Sequence, residues 1–350
     1  MWACYAATLR GDRCFVVLLC VCAPLFGQRA VVRDAPQLDM PAQVDSNSPA
    51  WRANSELHLL NSTGNGPMRS MGADQYHLGA PSQIHINRIN PWPTWMESIW
   101  VDPDGPIFGW YHQEHFGVCA GTTLSVPQIG AAVSYDGGNS FIDLGAVIVN
   151  GDPINCGSRN GYFAGGSGDL TVILDRDHQY FYFYFSNYGG NVAGQGICIA
   201  RMPFASRYFP AGSVYKYFEG AWNEPGLRGR ATPLFPAKVS WQSPDTDSFW
   251  GPSIHWNTHL KSWVMLLNRS CCEPGFPQKG IYASFSAEPG KPESWSKPKR
   301  ILKDTGWYPQ VLGIGPEGTD SLAGHVARLY IYGHSRWEIV FKKETEPDDQ

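Results

Sequence analysis

The chain has 350 residues, among them 38 glycines, 27 prolines, 14 tryptophans, 16 tyrosines and 17 phenylalanines, whereas only 17% of the residues are charged. This composition is typical of many short strands joined by tight turns, so we predict one large β-rich domain. The formal net charge of −4 arises without a long run of like charges, which argues against nucleic acid or an anionic membrane as a partner.

The N-terminus has the pattern of an export signal. Arg10 and Arg13 precede an apolar run from residue 15 to 26, and Gly27 and Gln28 follow it. The run is too short to cross a bilayer, which takes about 20 residues. We therefore predict a cleaved signal peptide over residues 1–28, a secreted or periplasmic protein, and no membrane contact after cleavage. A buried N-terminal strand is the alternative interpretation.

Two further segments flank the predicted domain. Residues 29–55 are polar, contain proline and show no periodicity, which predicts a linker or an N-terminal arm. Residues 342–350 predict a polar, solvated tail. The folded domain is accordingly expected over residues 56–341, and we expect it to be a monomer.

A coarse repeat fills this domain. Each unit has a small or polar strand, a turn, an aromatic-rich strand, a loop, and an alternating strand that ends in a turn with Trp or Phe. Four units are clear and the stretch 56–90 supplies a fifth; the clear units occupy residues 95–145, 165–204, 249–298 and 307–341. Such a period predicts an all-β, five-bladed β-propeller built of four-stranded antiparallel blades.

The octet SYDGGNSF, residues 134–141, closes the first clear unit. Asp136 can accept N–H groups of its own turn, Gly137 and Gly138 can take positive φ, and Phe141 can pack under the sheet. The octet fits the Asp-box pattern of sialidases and other propellers, where by resemblance it is a surface turn between outer strands. We interpret it as structural rather than as part of an active site.

Several blade sequences resemble those of the five-bladed propeller glycosidases, which include the arabinanases and glycoside hydrolase family 43. The resemblance lies in the openings GSGDLTVILDRDHQYFYFYF and FWGPSIHWNTHLKSWVML and in the closing ASFSAEPGKPESWSKP. It implies a carbohydrate partner and hydrolysis of an O-glycosyl bond without a required cofactor. A sugar-binding propeller without turnover and a sialidase-like hydrolase remain alternatives; by resemblance, the latter needs three arginines around a carboxylate and a tyrosine nucleophile.

The innermost strand of each blade lines the central funnel, so we sought paired carboxylates at the blade openings. Glycosidic cleavage commonly uses two carboxyl groups that flank the bond. Glu97, in a tryptophan-rich strand, is our predicted acid, and Asp169, after Gly-Ser-Gly, is the base or, as the resemblance implies, a group that orients the acid. If water attacks directly, these carboxyls should lie about 6.5 to 9.5 Å apart. A solvated rim position for Glu97 and a turn-capping role for Asp169 are the alternatives.

Other polar and aromatic residues near the openings are predicted to bind the sugar. On a strand, His112 and Glu114 share one face while His115 points to the other, which favours sugar binding over a metal site. A long, glycine-rich loop, residues 218–233, is predicted to be functional, because long loops in compact domains often are. The full set predicted to bind substrate is His112, Glu114, Trp95, His255, Trp222, Glu224 and Gln310.

His255 is the candidate for an ion. In some of the resembling enzymes a histidine on an inner strand binds a central ion or water, so a structural Ca²⁺ at this residue is one expectation. A buried histidine whose nitrogens are satisfied by the backbone is the alternative. The sequence assigns no other metal.

Two further features concern exported chains. Signal cleavage would leave five cysteines: Cys119, Cys156, Cys198, Cys271 and Cys272. We predict a disulfide between Cys119 and Cys156 and one unpaired cysteine. Asn61 and Asn268 begin glycosylation sequons, which matter only in a eukaryotic secretory pathway.

Overall fold

The computed structural model describes residues 27–343 and residue 346, so the predicted signal peptide lies outside the described residues apart from its last two positions. Over this part of the chain the secondary structure is 24 strands in five sheets and three short 3₁₀ turns, Val192–Gly194, Phe204–Ser206 and Pro292–Ser294. No helix among the described residues is long and apolar enough to span a membrane. The predicted all-β, five-bladed propeller is confirmed.

The inner strands of the five blades follow one another along the chain. Blade I contains Ala50–Ala53, Glu56–Thr63, Gly66–Gly72 and Ser82–Gln83. Blade II contains Thr94–Val101, Ile107–His115, Val126–Ser134 and Ser140–Ile148, with His85–Asn87 on its outer edge. Blade III contains Ser167–Leu174, Tyr180–Asn187, Gly196–Pro203, Tyr215–Phe218 and Ala221–Pro225, with Phe235–Pro236 beside its third strand. Blade IV contains Ser248–Asn257, Ser262–Ser270, Gln278–Ser286 and Lys299–Leu302, with Leu322–Ala323 beside its inner strand. Blade V contains Gln310–Gly313, Val326–Ile331, His334–Lys343 and Gln28–Asp39.

The ring closes through strands from the two ends of the described chain. Gln28–Asp39 is the outer strand of blade V and runs antiparallel to His334–Lys343. The structure thus differs from the predicted linker or arm over residues 29–55, because this stretch contains most of that strand and the inner strand of blade I. The last strand also extends two residues into the predicted tail. As an edge strand, Gln28–Asp39 has a neighbouring strand on one side only, and its sequence showed no clear alternation of polar and apolar residues. Its hydrogen-bond partner lies about 300 residues away.

Aromatic side chains fill the spaces between blades. Phe181, Phe183 and Phe185 alternate along the second strand of blade III and are fully buried, and they pack with Trp110 of blade II. The aromatic-rich second strand of blade III therefore joins its sheet to that of blade II, since large aromatic side chains contribute much buried area.

The octet 134–141 forms a turn between the two outer strands of blade II. The Asp136 carboxylate accepts the backbone N–H groups of Asn139 and Ser140, each at 3.0 Å, and Gly137 and Gly138 have φ of +71° and +85°. Burial opposes ionisation, but the hydrogen bonds from Ser140, from the Ser134 hydroxyl and from Asn139 outweigh it and lower the pKa of Asp136 to about 2. The turn holds its aspartate ionised.

The predicted disulfide between Cys119 and Cys156 is confirmed, with 5.4 Å between the two Cα atoms. A second disulfide joins the adjacent residues Cys271 and Cys272. Cys198 is the unpaired cysteine among the described residues, and burial raises the pKa of its thiol to about 12. A thiol held neutral in this way is a packing residue and a poor nucleophile.

Candidate functional site

Bulges interrupt the inner strands of blades II, III and IV near their starts. The pairing of blade II skips Glu97, and that of blade III skips Asp169, whose φ is +38°. In blade IV the pairing skips Gly251 and Pro252. A bulge leaves its extra residue unpaired and turns the side chain out of the regular alternation. The side chains of Glu97 and Asp169 therefore both lie outside the regular alternation of side chains along their strands.

The two carboxylates and His112 form one buried cluster. Glu97 is 1% exposed, Asp169 is 5% exposed, and one ligand atom from each of the three residues lies within 4.8 Å of the others. One Glu97 oxygen contacts Nδ1 of His112, and the other accepts the backbone N–H of Leu170 at 2.9 Å. The hydroxyl of Tyr188 donates to Asp169. The structure therefore brings together the pair of carboxylates that the sequence predicted.

Burial and charge separate the protonation states within this cluster. Burial, and then the negative charge of Glu97, raise the pKa of Asp169 to about 7, against the opposing charge of His112 and the hydrogen bond from Tyr188. Burial alone would lower the pKa of His112, but the charge of Glu97 and hydrogen bonds to Glu114 and Glu97 raise it well above its usual value. At neutral pH the cluster holds an imidazolium next to Glu97, and Asp169 is close to half protonated.

These contacts change the expected roles of the two carboxylates. Both oxygens of Glu97 are occupied by donors from the protein, and its side chain is almost inaccessible. An acid must present a proton to the substrate, so Asp169 fits that role better and Glu97 fits a positioning role. An oxygen of Glu97 lies within 4.8 Å of one of Asp169, which is closer than the separation expected for a pair that holds water between them.

A third carboxylate, Asp45, adjoins the cluster and was missed from the sequence. The ring of Trp95 stacks on His112 with 4.5 Å between centroids, and its indole N–H donates to Asp45 at 3.3 Å. Burial raises the pKa of Asp45; the hydrogen bond from Trp95 and the charge of His112 oppose this shift, and the charges of Glu114 and Glu97 add to it. Asp45 lies just before the inner strand of blade I, in the stretch predicted to be a linker. A carboxylate just before the inner strand of the first blade is the sequence signal that could have identified Asp45.

The residues that follow Asp45 connect the inner strands of three other blades. The Asn47 amide donates to the carbonyl oxygens of Leu170 at 2.9 Å and Pro252 at 2.8 Å, which belong to two different blades. Gln310 of blade V exchanges two hydrogen bonds with the backbone of Ser48, at 2.6 and 2.9 Å. Gln310 was predicted to bind sugar, but its amide is used to hold this segment.

A small pocket with mainly aromatic walls and a volume of about 40 Å³ lies beside Asp169. Its lining consists of Tyr162, Phe163, Asp169, Tyr188, Trp241, Trp250, Ser270, Phe276, Gln278, Trp307 and Tyr308. Gln278 accepts from the Trp250 indole at 3.0 Å and donates to Ser270 at 3.0 Å, so its amide is satisfied within the wall. Asp169 contributes the carboxyl group to a wall that offers mainly ring faces for contact.

Other residues predicted to bind substrate lie around the cluster. Trp95 is buried against His112, and Glu114 lies 3.7 Å from Nε2 of the same histidine while it accepts from the Ser125 hydroxyl at 2.7 Å. His115 points elsewhere and stacks on Trp92 with 5.4 Å between centroids. His112 and Glu114 therefore support the carboxylates from within the protein instead of facing open solvent.

Trp222 and Glu224 do not join the site. They lie on the outermost strand of blade III, where Trp222 packs against Tyr182 and Glu224 pairs with Arg230 at 2.7 Å. The predicted functional loop begins as a two-strand hairpin whose turn, at Glu219 and Gly220, has φ of +45° and +90°. This hairpin lies at the outer edge of blade III.

His255 is fully buried on the inner strand of blade IV, with its ring 5.1 Å from that of Phe341. Burial lowers its pKa to about 3, and neither ring nitrogen has a hydrogen-bond partner among the described residues. Calcium takes six to eight oxygen ligands, and none of the side-chain groups that could hold a metal includes His255. The expected Ca²⁺ stays a prediction. Three groups of metal-ligating side chains occur among the described residues: Glu97, His112 and Asp169; Asp247, Cys271 and Cys272; and His259, His325 and Glu346.

No protein-family model matches the sequence, and no curated protein matches it. Among solved structures, the chain is similar to an endo-arabinase from Bacteroides thetaiotaomicron, with 13% identity, a TM-score of 0.52, and coverage of 91% of this chain and 99% of that one. It is also similar to an exo-β-1,3-galactanase from Phanerochaete chrysosporium solved with β-1,3-galactotriose (10% identity, TM-score 0.48, 88% of this chain and 64% of that one). An exo-1,5-α-L-arabinanase from a bovine ruminal metagenomic library matches with 13% identity and a TM-score of 0.47, over 86% of this chain and 95% of that one. The likeness to the endo-arabinase, at 13% identity, shows a shared propeller fold.

Proposed function

We propose that this protein hydrolyses an O-glycosyl bond, with Asp169 as the general acid and Asp45 as the base. One observation carries the proposal: Asp169 forms part of a pocket wall, and its burial beside Glu97 raises its pKa to about 7, so about half of the carboxyl groups are protonated near neutral pH. A protonated carboxyl in the wall of a pocket can supply the proton that departure of an alcohol from an acetal requires. Glu97 and His112 are positioning residues that keep this proton in place.

The reaction balances with these groups. Asp169 transfers its proton to the glycosidic oxygen as the bond to the anomeric carbon breaks, and the alcohol leaves. A water molecule attacks the same carbon from the opposite face, and Asp45 takes the proton that this water loses. The products are a sugar of inverted anomeric configuration and the free alcohol, and one proton passes from Asp169 to Asp45.

The aromatic pocket supports a binding role on the leaving-group side. The acid must lie next to the departing oxygen, so the group attached to that oxygen lies near the rings around Asp169. Sugar faces and aryl groups both stack on such rings, and an aromatic pair contributes about 0.5 to 1.5 kcal/mol beyond area burial. We expect a carbohydrate substrate whose leaving group is a sugar or an aryl alcohol.

The test is hydrolysis of a panel of 4-nitrophenyl furanosides, pyranosides and a sialoside, together with the matching methyl glycosides. Asp169→Asn should lower kcat/KM on the methyl glycoside by about 10² to 10⁴-fold. It should lower kcat/KM much less on the 4-nitrophenyl glycoside, because nitrophenolate leaves without protonation. An equal loss on both would remove Asp169 from the role of acid.

A sugar-binding propeller without turnover is the second candidate, favoured by the close burial of Glu97 and His112. Binding of glycans with no hydrolysis by any variant would establish it. The described lining of the pocket contains no arginine, which weighs against a sialidase-like site. We further propose that the protein acts outside the cytoplasm as a monomer; the signal pattern and the Cys119–Cys156 disulfide support export.

A further inference from the structure

A cluster of metal-ligating side chains lies where three separate parts of the propeller meet. His259 lies in the turn between the two inner strands of blade IV, and His325 immediately precedes the second strand of blade V. Glu346 lies beyond the last strand. Each residue offers one ligand atom, and these atoms lie within 4.8 Å of one another. We propose that these three residues bind one divalent transition-metal ion of the zinc class.

The spacing within the cluster fits one ion. Nε2 of His259 lies 3.2 Å from an oxygen of Glu346, and two ligands of one tetrahedral zinc ion lie about 3.3 Å apart, given metal–ligand bonds of about 2.0 to 2.2 Å. The ring of His325 faces that of His259 with 4.5 Å between centroids. The His325 side chain is exposed and has no hydrogen-bond partner among the described residues, so it can turn toward the ion at little cost.

The donor chemistry selects the class of metal. Two neutral imidazoles and one carboxylate suit zinc and its transition-metal neighbours, whereas calcium and magnesium require mostly oxygen ligands. Three protein ligands leave a fourth position open to water, as in zinc sites that are not closed by four side chains. All three side chains are partly or largely exposed, so an ion can enter from solvent.

The backbone already brings the third ligand into place. The guanidinium of Arg29, in the closing strand, donates to the backbone carbonyl of Glu346, and the His325 carbonyl accepts the N–H of Phe341 at 2.9 Å. A bound ion would therefore fasten the segment after the last strand to blade IV, next to the strand pair that closes the ring. This fixed backbone lowers the entropy that metal binding must overcome.

The experiment is calorimetric titration of the tag-free, full-length, oxidised protein with ZnCl₂, since oxidation removes the Cys271 and Cys272 thiols as ligands. We expect one zinc ion per chain. His259→Ala, His325→Ala and Glu346→Gln should each raise the Kd by roughly tenfold or more, because loss of a ligand costs at least as much as loss of its supporting hydrogen bond. Zinc should also raise Tm in the unaltered protein and not in His325→Ala.

Two variants serve as controls. His334→Ala removes a comparably exposed histidine that pairs with Asp39 at 2.9 Å, and it should leave zinc binding unchanged. Glu97→Gln tests the funnel cluster. Absence of stoichiometric binding would overturn the proposal, as would binding that survives all three ligand substitutions or binding that only Glu97→Gln weakens.

Discussion

Replacing Asp169 by asparagine should make the protein more stable at alkaline pH while it removes the proposed acid. The pKa of Asp169 is raised from 3.8 to about 7 by burial and the charge of Glu97. Between pH 4 and 7 the folded protein holds a proton that the unfolded chain has released, so the free energy of unfolding falls as the pH rises. About three pKa units at 1.36 kcal/mol each correspond to about 4 kcal/mol. Asparagine has no such titration, and its amide oxygen can still accept from Tyr188.

The assay is urea unfolding of both proteins at pH 4 and pH 8, followed by tryptophan fluorescence. The difference in unfolding free energy, Asp169→Asn minus unaltered, should grow by about 4 kcal/mol from pH 4 to pH 8. Asp136→Asn is the matched control: the lowered pKa of Asp136 places its titration below pH 4, so the difference in unfolding free energy for this variant should stay nearly constant between pH 4 and pH 8. Equal pH dependence in the unaltered protein and Asp169→Asn would refute the assignment of a raised pKa, and with it the reason for choosing this acid.

Three further predictions follow from named contacts. Glu97→Gln should shift the alkaline limb of the kcat/KM profile to lower pH by one unit or more, because the charge that raises the pKa of Asp169 is removed; an unmoved limb would contradict the coupling. Asp45→Asn should lower kcat/KM by about 10² to 10⁴-fold on methyl and 4-nitrophenyl glycosides alike, since the base acts on water and not on the leaving group; recovery on the activated substrate would argue against this role. Asn61 and Asn268 are fully buried and their amides donate to Ser48 and Gly306 at 3.0 and 2.9 Å, so the folded protein secreted from a eukaryotic host should show no mass loss on treatment with peptide N-glycosidase.

Local sequence patterns were sufficient for the repeat and for two carboxylates. Alternation, turn residues and aromatic-rich strands are properties of neighbouring positions, and they recur once per blade. Asp169 was found because glycines precede it at a strand opening, and Glu97 because it interrupts an apolar, tryptophan-containing strand. Both turned out to be bulge residues, which explains why polar groups occur there without breaking the sheet.

The roles of these carboxylates were not readable from the sequence. They depend on distances below 5 Å between residues 72 positions apart, and on which oxygen meets the Leu170 N–H or the His112 ring. The hairpin around Trp222 was misread as a functional loop for a related reason. Its glycines and proline are typical of loops, whereas its pairing with Tyr215–Phe218 is visible only in the sheet.

Ring closure and the proposed active site depend on the same short segment. Asp45 lies between the closing strand Gln28–Asp39 and the inner strand Ala50–Ala53, and its backbone N–H donates to Ser62 at 2.9 Å. The next residues connect to blades III, IV and V through Asn47 and Ser48. The proposed base therefore lies in a segment whose contacts span three further blades of the closed ring. If the propeller opened at blade V, Asp45 would lose the contacts that its segment makes across the ring, so we expect closure to be needed for the proposed turnover as well as for stability.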